Sequence, residues 1–529
     1  MSCEDAIIRA SNGSPTPALG TATKWSCESM VFSDPLFLAG FLPASLLIFY
    51  VIRTYAGGIV AVWTLLGLSM VFYAYWSVLF LGLLFVQIGV NYVVGHQIET
   101  APRRVLLPLA LIFNLGLLGY FKYRNFFLEN VGDLIGVRFY LTTLVVPLGI
   151  SFHTFQQIAM LVDVKNKQEK FPPFLNYALF VLFFPQLIAG PIVLHREMGK
   201  QVAALRDGQH SGLESFAPGI GIFVFGLFKK VCLADNIASF VDLAFMPGRS
   251  LMMPEAWAAS IAYMLQIFFD FSGYSEMAVG LGLMFGFKLP NNFLVPYTAT
   301  SMTEYWKRWH ITMTRFFTMY VYMPLWLRFR RRLRRSEFFR ERPHPGVEFA
   351  YTAALPILIT FFLSGLWHGA AWTFVCFGLI HGVGLVVNQA WVTAQLPRLP
   401  ALLGWTLTML TVVIGTVYFR SNDLAQAHYI LHQMFIPSEP LLSVPAWLAY
   451  SLPFDLPIHT FTLFDGVRNS AIYLFWTALL ACLAGTLPPL AAAPESLVPS
   501  WRSAYATAAM IWLIMALIGE PRTFLYFTF

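Results

Sequence analysis

The chain has 529 residues, of which 57% are hydrophobic and only 12% charged, with a mean hydropathy of +0.64 and a formal net charge of +7. Soluble domains carry about 25% charge, so this composition excludes a self-solvating globule and predicts an all-α polytopic membrane protein. The basic excess does not mark a nucleic-acid-binding domain, because Lys and Arg sit between hydrophobic runs rather than on a soluble segment.

Residues 1–29 are polar, rich in Ser, Thr, Gly and Pro, and have no apolar centre. They read as a disordered extension rather than a signal peptide, with Met30 as an alternative native start. Residues 30–529 read as one transmembrane domain. Apolar runs near 35–52, 57–75, 77–94, 105–121, 141–162, 174–192, 214–231, 257–285, 350–366, 371–391, 401–418, 471–489 and 503–519 are of the length a span needs, roughly 20 residues. They predict 11 to 13 spans, some re-entrant. Basic clusters at Arg103-Arg104, Lys122/Arg124, Lys165/Lys167/Lys170, Lys229-Lys230 and Lys307-Arg308 are expected in cytoplasmic loops. The densest holds six arginines between Arg328 and Arg335. The Pro-rich stretch at 436–470, with Asp455, Asp465 and one basic residue, fits the opposite side. The five cysteines form no CxxC pair and no metal-ligand spacing.

Four polar segments interrupt the apolar runs: Pro147 to Asp163, Phe184 to Pro191, Gln266 to Glu276 continuing to His310, and Ser364 to Ala370 ending at His381-Gly382. Asp270 or Glu276 taken alone is read most simply as pairing with an arginine or accepting hydrogen bonds from Ser and Tyr, and Gly365, Gly369, Gly378 and Gly382 as sites of close helix packing. His368, in Gly-Leu-Trp-His-Gly-Ala, is different. A titratable ring inside an apolar run is expensive and is a functional candidate by default, and its flanking glycine leaves the ring accessible. His381 lies 13 residues on, which in one straight helix is roughly 20 Å of rise and 220° of turn. The two would not form a dyad unless the helix breaks at the glycines. No Gly-x-Ser-x-Gly elbow, Walker loop or zincin motif is present. Acyl transfer to a hydroxyl with a histidine base needs none of these and no metal.

The blocks Asp-Phe-Ser-Gly-Tyr-Ser (270–275), Trp-Lys-Arg-Trp-His (306–310), Gly-Leu-Trp-His-Gly-Ala (365–370), Phe-Phe-Pro-Gln-Leu-Ile-Ala-Gly-Pro (183–191), Tyr-Phe-Arg (418–420) and the ending Phe-Leu-Tyr-Phe-Thr-Phe (524–529) together resemble the membrane-bound O-acyltransferase superfamily. The nearest branch is the bacterial one of alginate O-acetyltransferase membrane subunits. The resemblance implies a helical fold with a central funnel or tunnel, His368 and His310 as catalytic histidines, and a cytoplasmic thioester, acetyl-CoA, as donor substrate with no bound cofactor. It also implies a polysaccharide or envelope-polymer acceptor, a periplasmic partner protein and a bacterial inner-membrane location. Substrate contacts are expected from Asp270, Ser272, Tyr274, Trp306, Lys307, Arg308 and Trp367. The chain departs from the family pattern after His310, where Thr318-Met319 stand in place of an Arg-Asp pair and Trp326-Leu327 in place of Gly-Gly. Arg315 is a candidate replacement charge. Two other functions stay open: D-alanyl transfer to teichoic acid from a carrier-protein thioester, and a polytopic transporter or scaffold without catalysis.

Overall fold

The computed structural model describes residues 30–142, 144–209, 214–337, 339, 344–436, 481, 483–487, 490–492, 500–518, 522 and 524–525. The extension at 1–29 and all of 437–480 lie outside these residues. Among the described residues the chain is helical, with no strand.

The first four helices are α1 (Phe37–Ala56), α2 (Gly58–Trp76), α3 (Val78–Thr100) and α4 (Leu106–Ile135), each long and apolar enough to cross a bilayer. The run expected at 141–162 is not a span of this kind. The backbone is irregular up to Gly149, which takes a left-handed φ of +70°. It then forms α5 (Ile150–Lys165), fourteen of whose residues are buried. Two of its polar side chains, Thr154 and Gln157, meet polar partners on α3. Gln87 donates to Thr154 (3.0 Å), and Asn91 donates to Gln157 (2.9 Å) and Asn114 (3.0 Å). The run expected at 174–192 also breaks. The helix α6 (Phe174–Leu182) stops at Phe183, whose ψ of 107° starts a short turn at Phe184–Leu187. Pro185, near the start of that turn, cannot supply the N–H that would continue the ladder from α6. An amphipathic helix, α7 (His195–Arg206), follows.

The centre of the protein is the pair α8 (Phe216–Ala244) and α9 (Met253–Met284). At 1.5 Å per residue, the 32 residues of α9 extend roughly 48 Å. Paired glycines let the two helices touch. A Cβ on Gly226 would stand 2.5 Å from the Gly273 carbonyl oxygen, and one on Gly219 2.8 Å from that of Gly280. Such contact explains why both helices carry Gly at a seven-residue interval. It also brings Lys229 Nζ to 2.8 Å from Glu276 and Lys230 Nζ to 2.6 Å from Asp270. Lys229-Lys230 is therefore a buried charge-pairing segment and not a cytoplasmic loop. The chain then runs through α10 (Ile311–Phe317), a π-helical turn at Thr318–Tyr322, and the arginine-rich α11 (Met323–Arg335). Three further helices of spanning length follow: α12 (Pro345–His368), α13 (Trp372–Thr393) and α14 (Ala401–Arg420). Beyond them lie α15 (Leu424–Phe435) and α16 (Trp501–Leu517), the latter a little short of a full span.

Eight described helices thus meet the length and apolarity of a membrane span, fewer than the apolar runs of the sequence suggest. The run expected at 471–489 lies largely outside the described residues, and the rest of the difference has a physical source. Runs such as 141–162 and 174–192 are apolar because they are buried in protein, which demands the same side chains as burial in lipid. The chain is a multi-pass membrane protein.

Candidate active site

His368 is the last residue of α12. Gly369 is extended (φ −163°, ψ 155°), and the next helix starts at Trp372. The break occurs where glycines permit close packing. A Cβ on Gly365 would meet the Phe374 carbonyl oxygen at 2.3 Å, and one on Gly378 the Phe361 carbonyl oxygen at 2.2 Å. The C-terminal carbonyls of α12 are met from α4. Lys122 Nζ donates to the carbonyls of Trp367 (2.6 Å) and His368 (3.0 Å), and the Tyr123 hydroxyl to that of Leu366 (2.8 Å). A lysine here satisfies orphan carbonyls and meets the negative end of the helix dipole. It is placed by a π-helical turn at Gly119–Tyr123 inside α4. Lys122 is accordingly a cap inside the fold and not part of a cytoplasmic loop.

The His368 ring is 4% exposed and lines a cavity of about 20 Å³, with Phe271, Tyr305, Trp309, Phe377 and Phe419 among the other walls. That is room for about one water molecule, so a thioester or sugar reaches the ring only when side chains move. Because α12 and α13 are separate helices, His381 comes closer than a straight helix would allow. Its ring centroid is 4.7 Å from that of Phe377, which is 5.5 Å from that of His368.

His310 is fully buried and takes a left-handed backbone (φ +40°, ψ +55°). Two backbone bonds clasp this turn, Leu294 N–H to the Arg308 carbonyl and Ile311 N–H to the Asn292 carbonyl, each 2.9 Å. Trp367 joins the two histidines, with its ring centroid 4.9 Å from His368 and 5.9 Å from His310, and it stacks on Phe155 at 5.6 Å. Phe271 lies edge-on to His310 at 4.7 Å. His368, His310 and Trp367 are thus one cluster built from α12 and the turn before α10, with Phe155 of α5 packed against it.

The remaining residues singled out from the sequence sit around this cluster or apart from it. The Trp306 ring is 5.2 Å from His381. Lys307 is exposed, and Arg308 pairs with Glu304 and donates to the Val295 carbonyl at 3.2 Å. Asp270 is not among the residues that line the cavity. It pairs with Lys230 and accepts the Leu525 N–H at 3.0 Å. Ser272 is buried, and Tyr274 stacks on Phe32 at 4.8 Å and Phe524 at 4.5 Å. The α9 residues that do line the cavity are Ile267 and Phe271. Arg315 is committed to α7, donating to Glu197 at 2.9 Å and to the Ile192 carbonyl at 3.1 Å. Thr318 and Met319 lie in the adjoining π-helical turn, where the Thr318 hydroxyl donates to the Thr314 carbonyl at 2.7 Å.

The sequence pointed to Lys122 only as a loop residue and assigned no role to Tyr123 or Asn292. A lysine within a long apolar run was a signal for the first. Asn292 gave none, since its side chain acquires a role only when the turn at 308–311 folds against it. No group of three or more His, Cys, Asp or Glu that could hold a metal exists among the described residues.

The site is thus a buried pair of histidines beside a helix end held from across the fold. Residues 56–339 match the model of MBOAT, the membrane-bound O-acyltransferase family. The chain is 38% identical over 439 residues to the peptidoglycan O-acetyltransferase of Helicobacter pylori, covering 77% of this chain and 80% of that protein. It is 37% identical over 420 residues to the probable alginate O-acetylase AlgI of Pseudomonas aeruginosa, covering 77% and 75%. A teichoic acid D-alanyltransferase of Streptococcus thermophilus is 29% identical over 251 residues, covering 46% and 57%. The chain belongs to the membrane-bound O-acyltransferase family, and it is an enzyme, an O-acyltransferase.

Proposed function

We propose that the protein transfers an acetyl group from acetyl-CoA to hydroxyls of an exported envelope polysaccharide, working in a bacterial inner membrane with a periplasmic partner protein. The observation that carries this reading is the His368–Trp367–His310 cluster, buried at a helix break, in a chain whose most extensive matches include O-acetyltransferases named for peptidoglycan and alginate. His368 and His310 handle the protons. The hydroxyl gives up its proton to a ring nitrogen, its oxygen bonds the acyl carbon, and the thioester C–S bond breaks. Acetyl-CoA enters beside Lys307 and Arg308, the basic residues nearest the turn that carries His310. Trp306 and Trp367 form aromatic walls along that approach. Asp270, Ser272 and Tyr274 shape the fold behind the cavity and do not touch substrate.

D-alanyl transfer to teichoic acid is the second reading. The relatives of that name match less of this chain and at lower identity, 29% over 46% of it and 25% over 53%, so acetyl transfer comes first. The deciding experiment traces labelled acetyl-CoA into polysaccharide in membranes of cells carrying the wild type or His368→Ala. Labelled polymer with the wild type and none with the variant, at equal protein level, is the expected result. Full labelling with the variant removes His368 from the chemistry. Labelling only from a D-alanyl carrier thioester selects the second reading.

A further inference from the structure

Three residues other than glycine take a left-handed backbone among the described residues, and two of them, Lys167 and Gln395, are exposed. The third, His310, is fully buried. A side chain is held in this conformation, at a cost, only where its surroundings over-determine it. Here the surroundings are two clasping backbone bonds and one side chain, Asn292.

The Asn292 side-chain oxygen stands 2.9 Å from the Thr312 hydroxyl, 3.3 Å from the Thr312 backbone nitrogen and 3.0 Å from His310 Nδ1. Its amide nitrogen donates to Ser275 Oγ at 3.1 Å. A backbone N–H can only donate, so the atom facing Thr312 is the amide oxygen and not the NH2 group. The Thr312 hydroxyl accepts the Ile192 N–H at 2.9 Å, which leaves its own proton for the same oxygen. An amide oxygen can only accept. His310 Nδ1 must therefore carry a proton, and in the neutral ring Nε2 carries the lone pair.

We propose that Asn292 is a positioning residue of the transfer site, fixing His310 as the Nδ1–H tautomer so that its Nε2 is a proton acceptor alongside His368. The proposal rests on the acyl-transfer reading above. The acceptor O–H bond breaks and its proton passes to Nε2. The oxygen pair bonds the acyl carbon, the C–S bond breaks, and the thiolate takes the proton as it leaves. While the ring is doubly protonated, the Asn292 oxygen still accepts from Nδ1–H and stabilises the charge. The other tautomer would aim its lone pair at Asn292 and leave no acceptor on Nε2.

The test measures acetyl transfer from labelled acetyl-CoA into polysaccharide in membranes from producing cells. Asn292→Leu is expected to lower kcat roughly 100-fold with the KM for acetyl-CoA changed by no more than about twofold. Asn292→Asp, which keeps an oxygen for Nδ1–H, is expected to recover activity to within about tenfold of wild type. In a His310→Gln background, Asn292→Leu should cost no more than about a further twofold, because residues that act as a unit are non-additive. Additive losses, or an Asp variant no better than Leu, overturn the proposal. A second arm needs no turnover. In 15N-histidine-labelled protein, the resonance pair lost on His310→Gln should report a protonated Nδ1, and a protonated Nε2 with bare Nδ1 overturns the tautomer. Wild-type membranes that transfer no acetyl would sink the function reading while this spectrum still decides the role of Asn292.

Discussion

Breaking the charge network between α8 and α9 separates a structural from a substrate-binding role for Asp270. Lys230 Nζ contacts two carboxylates, Asp270 at 2.6 Å and Asp235 at 2.7 Å. Lys230 and Asp270 are almost fully buried, whereas the Asp235 side chain is 22% exposed. Removing one partner of a buried pair costs about 3–5 kcal/mol, because the other charge stays buried without compensation. Lys230→Met strands both carboxylates and stands at the top of that range. Asp270→Leu leaves Lys230 with Asp235 and costs less, about 2–4 kcal/mol on the same scale. Asp235→Leu, at a partly hydrated site, costs least. Thermal unfolding in detergent should therefore rank the variants Lys230→Met, Asp270→Leu, Asp235→Leu from least to most stable. The double variant Lys230→Met/Asp270→Leu should be more stable than Lys230→Met alone, since an apolar pair replaces an ion pair without leaving the Asp270 charge buried. It should also keep most of its acetyl transfer. A double variant that folds at wild-type level yet transfers no acetyl would refute the structural assignment and return Asp270 to the substrate path.

Three further outcomes are expected. His368→Ala should lower transfer roughly 10²- to 10⁴-fold, the usual worth of a positioned acid–base group, with unchanged protein abundance on an immunoblot. Lys122→Met should leave the Trp367 and His368 carbonyls without their donor, at about 1–3 kcal/mol in thermal stability, and should also lower kcat because the end of α12 carries the site. Gly365→Val should fail to accumulate in membranes, since its Cβ would fall 2.3 Å from a backbone oxygen of α13; normal accumulation would show that α12 and α13 can separate without loss.

The membrane setting, the helical class, the family and the two histidines were legible in the chain without coordinates. Composition excludes a soluble fold, and an imidazole in an apolar run is conspicuous whatever surrounds it. The number of spans was not legible in the same way. Apolarity reports burial, and α5 is buried in protein with contacts to Gln87 and Asn91 that only the packed structure makes. Nor could charge in the sequence say which lysines face water. Lys122, Lys229 and Lys230 look like loop residues, and each is drawn inward by a partner far away along the chain: helix-end carbonyls for the first, carboxylates on α9 for the others. Asp270 and Tyr274 stand in a family block, and only packing shows that one pairs with Lys230 and the other stacks on Phe32 and Phe524. His368 and His310 are 58 positions apart in sequence. Their meeting around Trp367, the helix break that admits His381, and the tautomer imposed by Asn292 depend on backbone turns and side-chain distances. Those quantities are products of packing and have no counterpart in residue order.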